Sequence, residues 1–443
     1  MVVILLVLSV WLLIESGYGL LQLIGLCESG SVIYPLTGSF SNPGPYGGFL
    51  AVCLSCVLAI LMSFRQRDCL SGQRWIKTFV WVSLFAGLVV LPATMSRAAW
   101  ASFVMAALLS IYMYLPWRGW VVSHKKTLLL GFVLALFAGL GAFLIKKDSA
   151  LGRLHIWHME IRAIAARPMG HGPYSRLGAY GEAQHDYFLN HDFGPDAEVI
   201  GLAGCPEYAF NEYLGLGIEA GLLPMLLCVA AVVAVLCVAV RRANPFGVGL
   251  LAWSVFAFFS YPMNFVQMRL LLALMVLASL WPAKNTIGKW TWPARVSLSL
   301  AVAFALYASD NYFSKHNDYR EVYQEAYMLY GYQDYAEALE LFESAAPRSS
   351  DPMFRVMMGR CKESLGQIDA ARQDYLYAHY MVPCRLYPLV RLMRLELRNG
   401  GDERALELGE MILGMELNEK HGNMVKLHQQ TRQSVDSLKL LLR

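Results

Sequence analysis

The sequence predicts an all-α protein that combines a polytopic bundle of about nine transmembrane helices with a C-terminal α-solenoid. Two observations lead to this prediction. The chain has 443 residues, of which 56% are hydrophobic and 16% charged, whereas soluble domains are roughly 45–50% apolar. From about residue 318 onward, charged and polar residues return at ordinary soluble density. We therefore expect a membrane domain over residues 1–317, which includes a long outer loop at 146–221, and a soluble domain over residues 318–443.

Nine apolar stretches are candidates for membrane-spanning helices, which need about 20 apolar residues. They lie at about residues 1–26, 46–64, 76–92, 98–115, 127–145, 222–240, 247–263, 268–281 and 293–308. The first stretch contains Glu15 and Gln22, so this helix either faces other protein or ends in an extension at the membrane surface. A cleaved secretory signal is the competing interpretation, but neither a basic N-terminal region nor a small-residue cleavage site supports it.

The distribution of Lys and Arg among the short loops predicts the orientation, because cytoplasmic loops are enriched in both. Alternate loops carry most of these residues, namely Arg65, Arg67, Arg74, Lys77, Arg118, Lys125, Lys126, Arg241, Arg242, Lys284 and Lys289. Those loops are expected in the cytoplasm. The segment 146–221 and the soluble tail then lie outside, which is the periplasm if the membrane is the inner membrane of a Gram-negative bacterium. The net charge of +4 follows from this topology and does not indicate nucleic-acid binding.

The tail repeats itself with a period of about 34 residues, which is typical of a tetratricopeptide repeat. Ala338, Ala371 and Ala405 recur at intervals of 33 and 34 residues, and Gly366 and Gly400 are 34 apart. About two and a half repeats fit between residues 319 and 416, followed by a charged capping helix. Such helix pairs stack into a concave surface that usually binds a peptide or protein partner. The alternative is that the tail only stabilises the long outer loop.

Two polar features lie at the outer ends of predicted spans. In TGSFSNPGPYGGFLA, Asn42 begins a tight turn that leads into the second span. In TMSRAAW, Arg97 lies at or just inside the membrane surface after the third span. A cation there is costly unless its side chain reaches water or meets an anion. Arg97 is therefore a candidate anion-binding residue, with simple snorkelling to the surface as the alternative.

The long outer loop begins with a predicted amphipathic helix of about 16 residues. Leu154, Trp157, Ile161 and Ile164 fall on one apolar face, which we expect to lie on the membrane or against the bundle, and Pro168 ends the helix.

Four arginines lie in or after this helix, and guanidinium groups suit phosphate because their planar fork donates two parallel hydrogen bonds. Arg153 lies in the first predicted turn, and the others are Arg162, Arg167 and Arg176. Several arginines on the outer face, in a chain without a nucleotide-binding motif, indicate a lipid-linked phosphate or diphosphate.

A metal site is the other chemical possibility in this loop. The stretch QHDYFLNHDFGPD contains His185, Asp186, His191, Asp192 and Asp196, but their spacing matches no standard ligand pattern. We expect a solvated loop and no bound metal.

Four motifs occur in order along the membrane part: TGSFSNPGPYGGFLA, then SRAAW, then GRLHIW with its proline-terminated helix, then Asn211 followed by E-x-G-L-L and a new span. Together they resemble the O-antigen ligase and polymerase superfamily over about residues 16–282, and a tetratricopeptide tail is a known companion. Relatives often have further membrane helices upstream, so this chain is either a short form or begins late.

The resemblance implies a membrane glycosyltransferase that takes a glycan from a polyprenyl diphosphate, such as undecaprenyl diphosphate, and passes it to an acceptor hydroxyl at the outer face. No cofactor or metal is implied, because Arg97 and Arg153 would neutralise the diphosphate. We expect both guanidinium groups at one outward-facing cavity. Further substrate contacts are expected from Asn42, Arg162, Arg176, Gln184 and Tyr208.

The acceptor side departs from the family pattern. Ligases of this family have a His before the matching Asn, whereas here that position is Phe210. Asn211 is expected to orient the acceptor hydroxyl, and Glu212 or Glu207 to take its proton if burial raises the pKa of that carboxyl. The alternative is that Asn211 and Glu212 only cap the following helix and complement its dipole.

Other functions remain open. The acceptor is a glycolipid, a glycan or a protein, and the last would make the chain a protein O-oligosaccharyltransferase. A non-catalytic scaffold that presents the repeats is an alternative of another class. A transporter is disfavoured, because the middles of the predicted spans after the first contain few ionisable groups.

The topology can be tested with a membrane-impermeant thiol reagent on intact spheroplasts, using variants that keep a single cysteine. A cysteine introduced at Ser437 should react, because the tail is predicted to be periplasmic. Native Cys69, in a loop predicted to be cytoplasmic, should react only after lysis. Labelling of Cys69 alone in intact cells would contradict the topology.

Overall fold

A computed structural model of the chain describes residues 1–67, 73–115, 147–191, 198–280, 318–415 and 422–442, together with residues 308, 312 and 315. Within these ranges the elements are helices and no strand occurs, which confirms the all-α class. The predicted spans at 127–145 and, apart from residue 308, at 293–308 lie outside the described residues.

The described helices are labelled in chain order. They are α1 Val2–Leu23, α2 Pro43–Arg67, α3 Arg74–Ala93, α4 Arg97–Tyr114, α5 Lys147–Ala166, α6 Arg176–Leu189, α7 Glu198–Leu202, α8 Glu212–Ala220, α9 Leu222–Arg241, α10 Phe246–Phe259, α11 Val266–Leu280, α12 Tyr319–Gly331, α13 Tyr335–Ala345, α14 Met353–Ser364, α15 Ile368–Met381, α16 Leu386–Arg398, α17 Asp402–Gly414 and α18 Gly422–Leu441. Short 3₁₀ turns lie at Pro262–Asn264 and Ala346–Arg348.

Five of the described helices are long and apolar enough to cross a membrane, namely α1, α2, α3, α4 and α9. They correspond to the first four predicted spans and to the sixth. The seventh and eighth correspond to α10 and α11, which are apolar but shorter. Several apolar candidate spans are therefore present, and the total of about nine stays a prediction.

The chain divides into two compact units. Unit 1 comprises Met1–Lys146, Phe210–Tyr213 and Leu226–Tyr312. Its core is built around α2, which packs against α1, α3, α4, α10 and α11. Close packing depends on small side chains of α2: a Cβ atom at Gly48 would lie 2.3 Å from the Phe256 ring.

The polar residues of α1 hold the loop that follows it. The Glu15 carboxylate accepts hydrogen bonds from the backbone N–H of Ser39 at 3.2 Å and from its hydroxyl at 2.7 Å. Gln22 Oε1 accepts from the backbone N–H of Thr37 at 3.0 Å and of Gly38 at 2.8 Å. Both side chains are buried, so α1 faces other protein on this side, as one of the two interpretations expected.

Unit 2 comprises Lys147–Ala209, Leu214–Met225 and Phe313–Arg443. In its tail, each helix from α12 to α18 packs against the next. The periodic residues of the sequence form the interior, because Ala338, Ala371, Ala405, Phe342 and Tyr375 are all fully buried. The repeat pattern therefore marks the core of the tail, whereas its assignment to the tetratricopeptide class stays a prediction.

The long segment before α8 packs against this tail within unit 2. The His185 ring on α6 stacks on Tyr377 of α15 with centroids 3.8 Å apart. Gly178 of α6 lies so close to Pro347 that a Cβ atom would be 1.8 Å from its carbonyl oxygen. This packing agrees with the alternative interpretation, in which the tail stabilises the long outer loop. The expected boundary between residues 317 and 318 stays a prediction.

The amphipathic helix predicted after residue 150 is present as α5, which ends two residues before Pro168. Two members of its predicted apolar face, Leu154 and Ile161, are more than half exposed in the described protein. The fourth member, Ile164, is buried, together with His155, Met159, Glu160 and Ala163. Periodicity finds an apolar stripe, but the face that packs is decided by α6 and α8, which lie elsewhere in the sequence.

Gly178→Ala should destabilise unit 2 by about 1–3 kcal/mol, because the added methyl group meets backbone that cannot move aside easily. Gly331→Ala at the end of α12 is the matched control, since nothing lies within 4 Å of a Cβ atom there. Thermal unfolding of the purified variants, followed by limited proteolysis, measures the difference. Equal stability of the two variants would contradict this packing.

Candidate functional site

The segment that contains Asn211 belongs to unit 1 and is fixed at three points. Asn211 is 3% exposed, and its Oδ1 accepts the backbone N–H of Tyr213 at 3.0 Å. Glu212 Oε1 accepts the backbone N–H of Met263 at 2.7 Å, and the Tyr213 hydroxyl donates to the Ser254 carbonyl at 3.3 Å. The capping interpretation of Asn211 is therefore confirmed. A contact between Asn211 and a substrate stays a prediction.

The backbone before Asn211 is strained. Phe210 has φ 51°, a region that bulky side chains rarely occupy, and its ring packs edge-on against Tyr261 with centroids 5.3 Å apart. Met95 (φ 51°) and Tyr174 (φ 64°) also have positive φ, and each lies two residues before a predicted site arginine. The other two non-glycine residues with positive φ in the described part of the chain are Ala243 and Gln333. Strain of this kind persists only where the surrounding structure enforces it, often at functional sites.

The two other predicted residues of unit 1 lie at helix starts. Arg97 is the first residue of α4 and is half-buried. Asn42 precedes α2, and its Oδ1 accepts the backbone N–H of Gly44 at 2.8 Å, which confirms the helix-entry turn. Binding of phosphate or glycan by either residue stays a prediction.

The predicted arginines of unit 2 have different surroundings. Arg153 is half-buried and lies in the second turn of α5, because that helix begins at Lys147 and not at residue 151 as the sequence suggested. The Arg162 guanidinium lies over the Tyr187 ring, 5.2 Å from its centroid. Arg176 is 8% exposed and donates from Nη2 to the Glu207 carbonyl at 3.0 Å.

Arg176 also lies beside the Glu219 carboxylate, which is not among the predicted site residues. The Glu219 carboxylate on α8 accepts hydrogen bonds from the backbone N–H groups of Tyr174 and Arg176. Burial raises the pKa of Glu219 from 4.5 to about 7, and the Arg176 charge and the two N–H donors offset part of the rise. The sequence predicts such a carboxyl at Glu212 or Glu207, and both roles stay predictions. Glu219 is an additional candidate.

Two glycines allow the turn after α5 to reach Glu219. The Gly172 N–H donates to the Glu219 carbonyl at 3.0 Å, and the Leu222 N–H donates to the Pro168 carbonyl at 2.9 Å. Gly170 (φ 92°) and Gly221 (φ 101°) have positive φ, and a Cβ atom at Gly170 would lie 2.5 Å from the Glu219 carbonyl oxygen. This backbone contact holds the turn against the end of α8, so the surroundings of Glu219 depend on a turn some 50 residues earlier in the chain.

Glu207 has a different environment. Its carboxylate pairs with Arg320 of α12 at 2.7 Å, and its side chain is 57% exposed. The neighbouring Tyr208 is half-buried, and burial raises the pKa of its hydroxyl. The catalytic role of Glu207 and the substrate contact of Tyr208 stay predictions.

Gln184 of α6 has an internal role. Its Oε1 accepts from the Tyr180 hydroxyl at 2.7 Å and lies 3.1 Å from His155 Nε2. Its Nε2 donates to the Gly204 carbonyl at 3.1 Å and to the Met381 carbonyl. All four hydrogen-bonding positions of the amide are thus used within unit 2, so the geometry gives the predicted substrate contact of Gln184 no support.

The described residues hold no group of three or more His, Cys, Asp or Glu side chains placed to bind a metal ion. Within the stretch considered above, His185 Nδ1 lies 2.9 Å from Asp186 Oδ1. Asp192 and Asp196 lie outside the described residues.

Residues 82–229 match the O-antigen ligase family, a stretch that contains Arg97, Arg153, Asn211 and Glu219 and covers about a third of the chain. The match supports the O-antigen ligase superfamily and a membrane glycan-transfer function. It does not include the tail. Neither a curated protein nor a solved structure matches the chain.

Proposed function

We propose that this protein transfers a glycan from a polyprenyl diphosphate to an acceptor hydroxyl at the periplasmic face of the inner membrane, as an O-antigen ligase or polymerase. The family match over residues 82–229 and the apolar helices support this proposal. The observation that carries it is the environment of Glu219, whose carboxylate lies partly buried beside Arg176 and has a pKa of about 7. Glu219 lies on α8, the helix that Asn211 caps.

Glu219 suits general base catalysis, because a catalytic base is most effective when its pKa lies near the working pH. The acceptor hydroxyl would transfer its proton to the Glu219 carboxylate while its oxygen bonds to the anomeric carbon of the donor. The bond between that carbon and the diphosphate oxygen breaks, and the leaving group departs with the electron pair. Asn211 would orient the acceptor by hydrogen bonding, and Arg176 would balance the charge of Glu219 once the proton is released.

Glu219 is a better base than the two carboxylates expected from the sequence. Glu207 is exposed and paired with Arg320. The Glu212 carboxylate accepts a backbone N–H from the turn after α10, which gives it a structural role in unit 1. Burial raises the pKa of Glu219 to about 7, which lies in the neutral range.

On the donor side, Arg97 and Arg153 would bind the diphosphate, as the family resemblance implies. A diphosphate gains negative charge as it leaves, and guanidinium groups stabilise that charge through paired hydrogen bonds. The tail, of tetratricopeptide type, would then act beside the transferase in the periplasm and present a surface to the glycan acceptor or to a protein partner.

Glu219→Gln should lower kcat for glycan transfer by about 10²-fold or more, because removal of a general base typically costs 10²–10⁴-fold. In the wild type, the rate should rise with pH through about 7, since the base acts in its deprotonated form, and the variant should lose this rise. Transfer is measured with purified protein, lipid-linked donor and acceptor. Glu182→Gln, an exposed carboxylate on α6, is the control. A wild-type rate and pH profile for Glu219→Gln would refute the assignment.

Arg153→Ala and Arg97→Ala should each lower transfer by roughly 10²–10³-fold, as the loss of a group that stabilises a developing anion does. Arg167→Ala is the matched control for Arg153, because Arg167 is exposed just beyond the same helix. Membrane insertion and expression of all three variants are checked by immunoblotting. Equal effects of Arg153→Ala and Arg167→Ala would exclude a specific role for Arg153.

A further inference from the structure

Unit 2 contains a cavity of about 410 Å³ whose lining the proposed function has not used. Its walls come from α6, the segment before α8, α12, the chain around the start of α14, and Arg385 just before α16. All of these segments belong to unit 2. The volume lies in the range of roughly 300–1,000 Å³ that is typical of small-molecule sites.

Three aromatic residues line the cavity, namely Tyr319, Tyr323 and Phe354. The rings of Tyr323 and Phe354 have centroids 4.7 Å apart, and those of Tyr319 and Phe354 are 6.0 Å apart. Their mutual packing fixes the rings in place. Tyr319 and Phe354 are mostly buried, whereas Tyr323 is only partly so. Fixed aromatic rings are suited to the C–H faces of sugar rings, because both surfaces are apolar and flat.

Two ion pairs add polar groups to the same walls. Arg320 pairs with Glu207 at 2.7 Å, and Arg385 pairs with Asp351 at 2.9 Å. All four side chains are between 39% and 57% exposed, so a ligand can reach them. Each pair presents N–H donors next to carboxylate acceptors, the combination that neighbouring sugar hydroxyls require, since each hydroxyl both donates and accepts.

The same ion pairs disfavour an anionic ligand. A phosphate is attracted by guanidinium charge that is not yet neutralised, but here each guanidinium already faces a carboxylate. Two carboxylates at the rim would also repel a bound anion. The chemistry of the cavity therefore suits a neutral, polyhydroxylated ligand better than a phosphate or diphosphate.

We propose that this cavity binds a neutral oligosaccharide segment of the glycan that the protein handles. The inference rests on the proposed function and adds a substrate-binding site outside the reacting groups. Contacts within unit 2 connect the two: Arg176 neighbours Glu219 and donates to the carbonyl of Glu207, whose side chain forms part of the cavity wall. A sugar chain held here would be retained close to the proposed base.

The test uses the full-length protein in detergent and an array of neutral hexose, deoxyhexose and N-acetylhexosamine oligosaccharides. Binding of at least one neutral oligosaccharide is expected. Tyr323→Ala should weaken that binding about tenfold or more, the size of effect that a change of about 1.4 kcal/mol produces. Tyr327→Ala is the matched control, because Tyr327 lies one turn further along α12, is 53% exposed and is not part of the lining.

Arg320→Ala is a second variant that should fold normally, because the Arg320 side chain is 48% exposed. It should also weaken oligosaccharide binding. Inorganic pyrophosphate is the anionic probe and should not compete with the oligosaccharide. The inference is overturned if no neutral oligosaccharide binds, if binding survives both Tyr323→Ala and Arg320→Ala, or if pyrophosphate competes. Oligosaccharide binding without any transfer activity would instead refute the proposed function and leave the cavity site standing.

Discussion

The buried charge of Arg176 is the constraint on which the rest of unit 2 depends. A buried guanidinium must be paired and hydrogen-bonded, or its desolvation destabilises the fold. The Arg176 charge lies near the Glu219 carboxylate, and its Nη2 donates to the Glu207 carbonyl. These contacts join the start of α6 to α8 and to the segment before α8. They keep the Glu219 carboxylate partly desolvated. They also fix Glu207, which forms part of the cavity wall.

A different constraint acts on unit 1, where polar groups on apolar helices require partners within the protein. Glu15 and Gln22 of α1 meet it by accepting backbone N–H groups of the loop before α2. The helices then pack on the buried side of α2 through small residues such as Gly48. The ionisable candidate Glu212 lies at the start of α8. There the positive end of the helix dipole favours a carboxylate.

The tail belongs to the same compact unit as the long outer loop. Its packing on α6, through Pro347 and Tyr377, makes it part of the unit that carries Arg176 and Glu219. This arrangement agrees with the interpretation that the tail stabilises the long outer loop. The cavity has walls from both segments, so its aromatic rings and ion pairs are brought together by this packing. A scaffold that presented the repeats alone would not need such a junction.

The sequence by itself determined the features that depend on neighbours within a turn or a repeat: the all-α class, the apolar spans, α5 and its end before Pro168, the cap at Asn211, and the buried alanines of the tail. Only the tertiary structure decided which face of α5 is packed and which carboxylate has a pKa near neutrality. Burial and pairing depend on segments that are far apart in the chain. Glu207 is paired with Arg320, 113 residues away, and the Glu219 carboxylate accepts backbone N–H groups of Tyr174 and Arg176, which no local pattern connects to it.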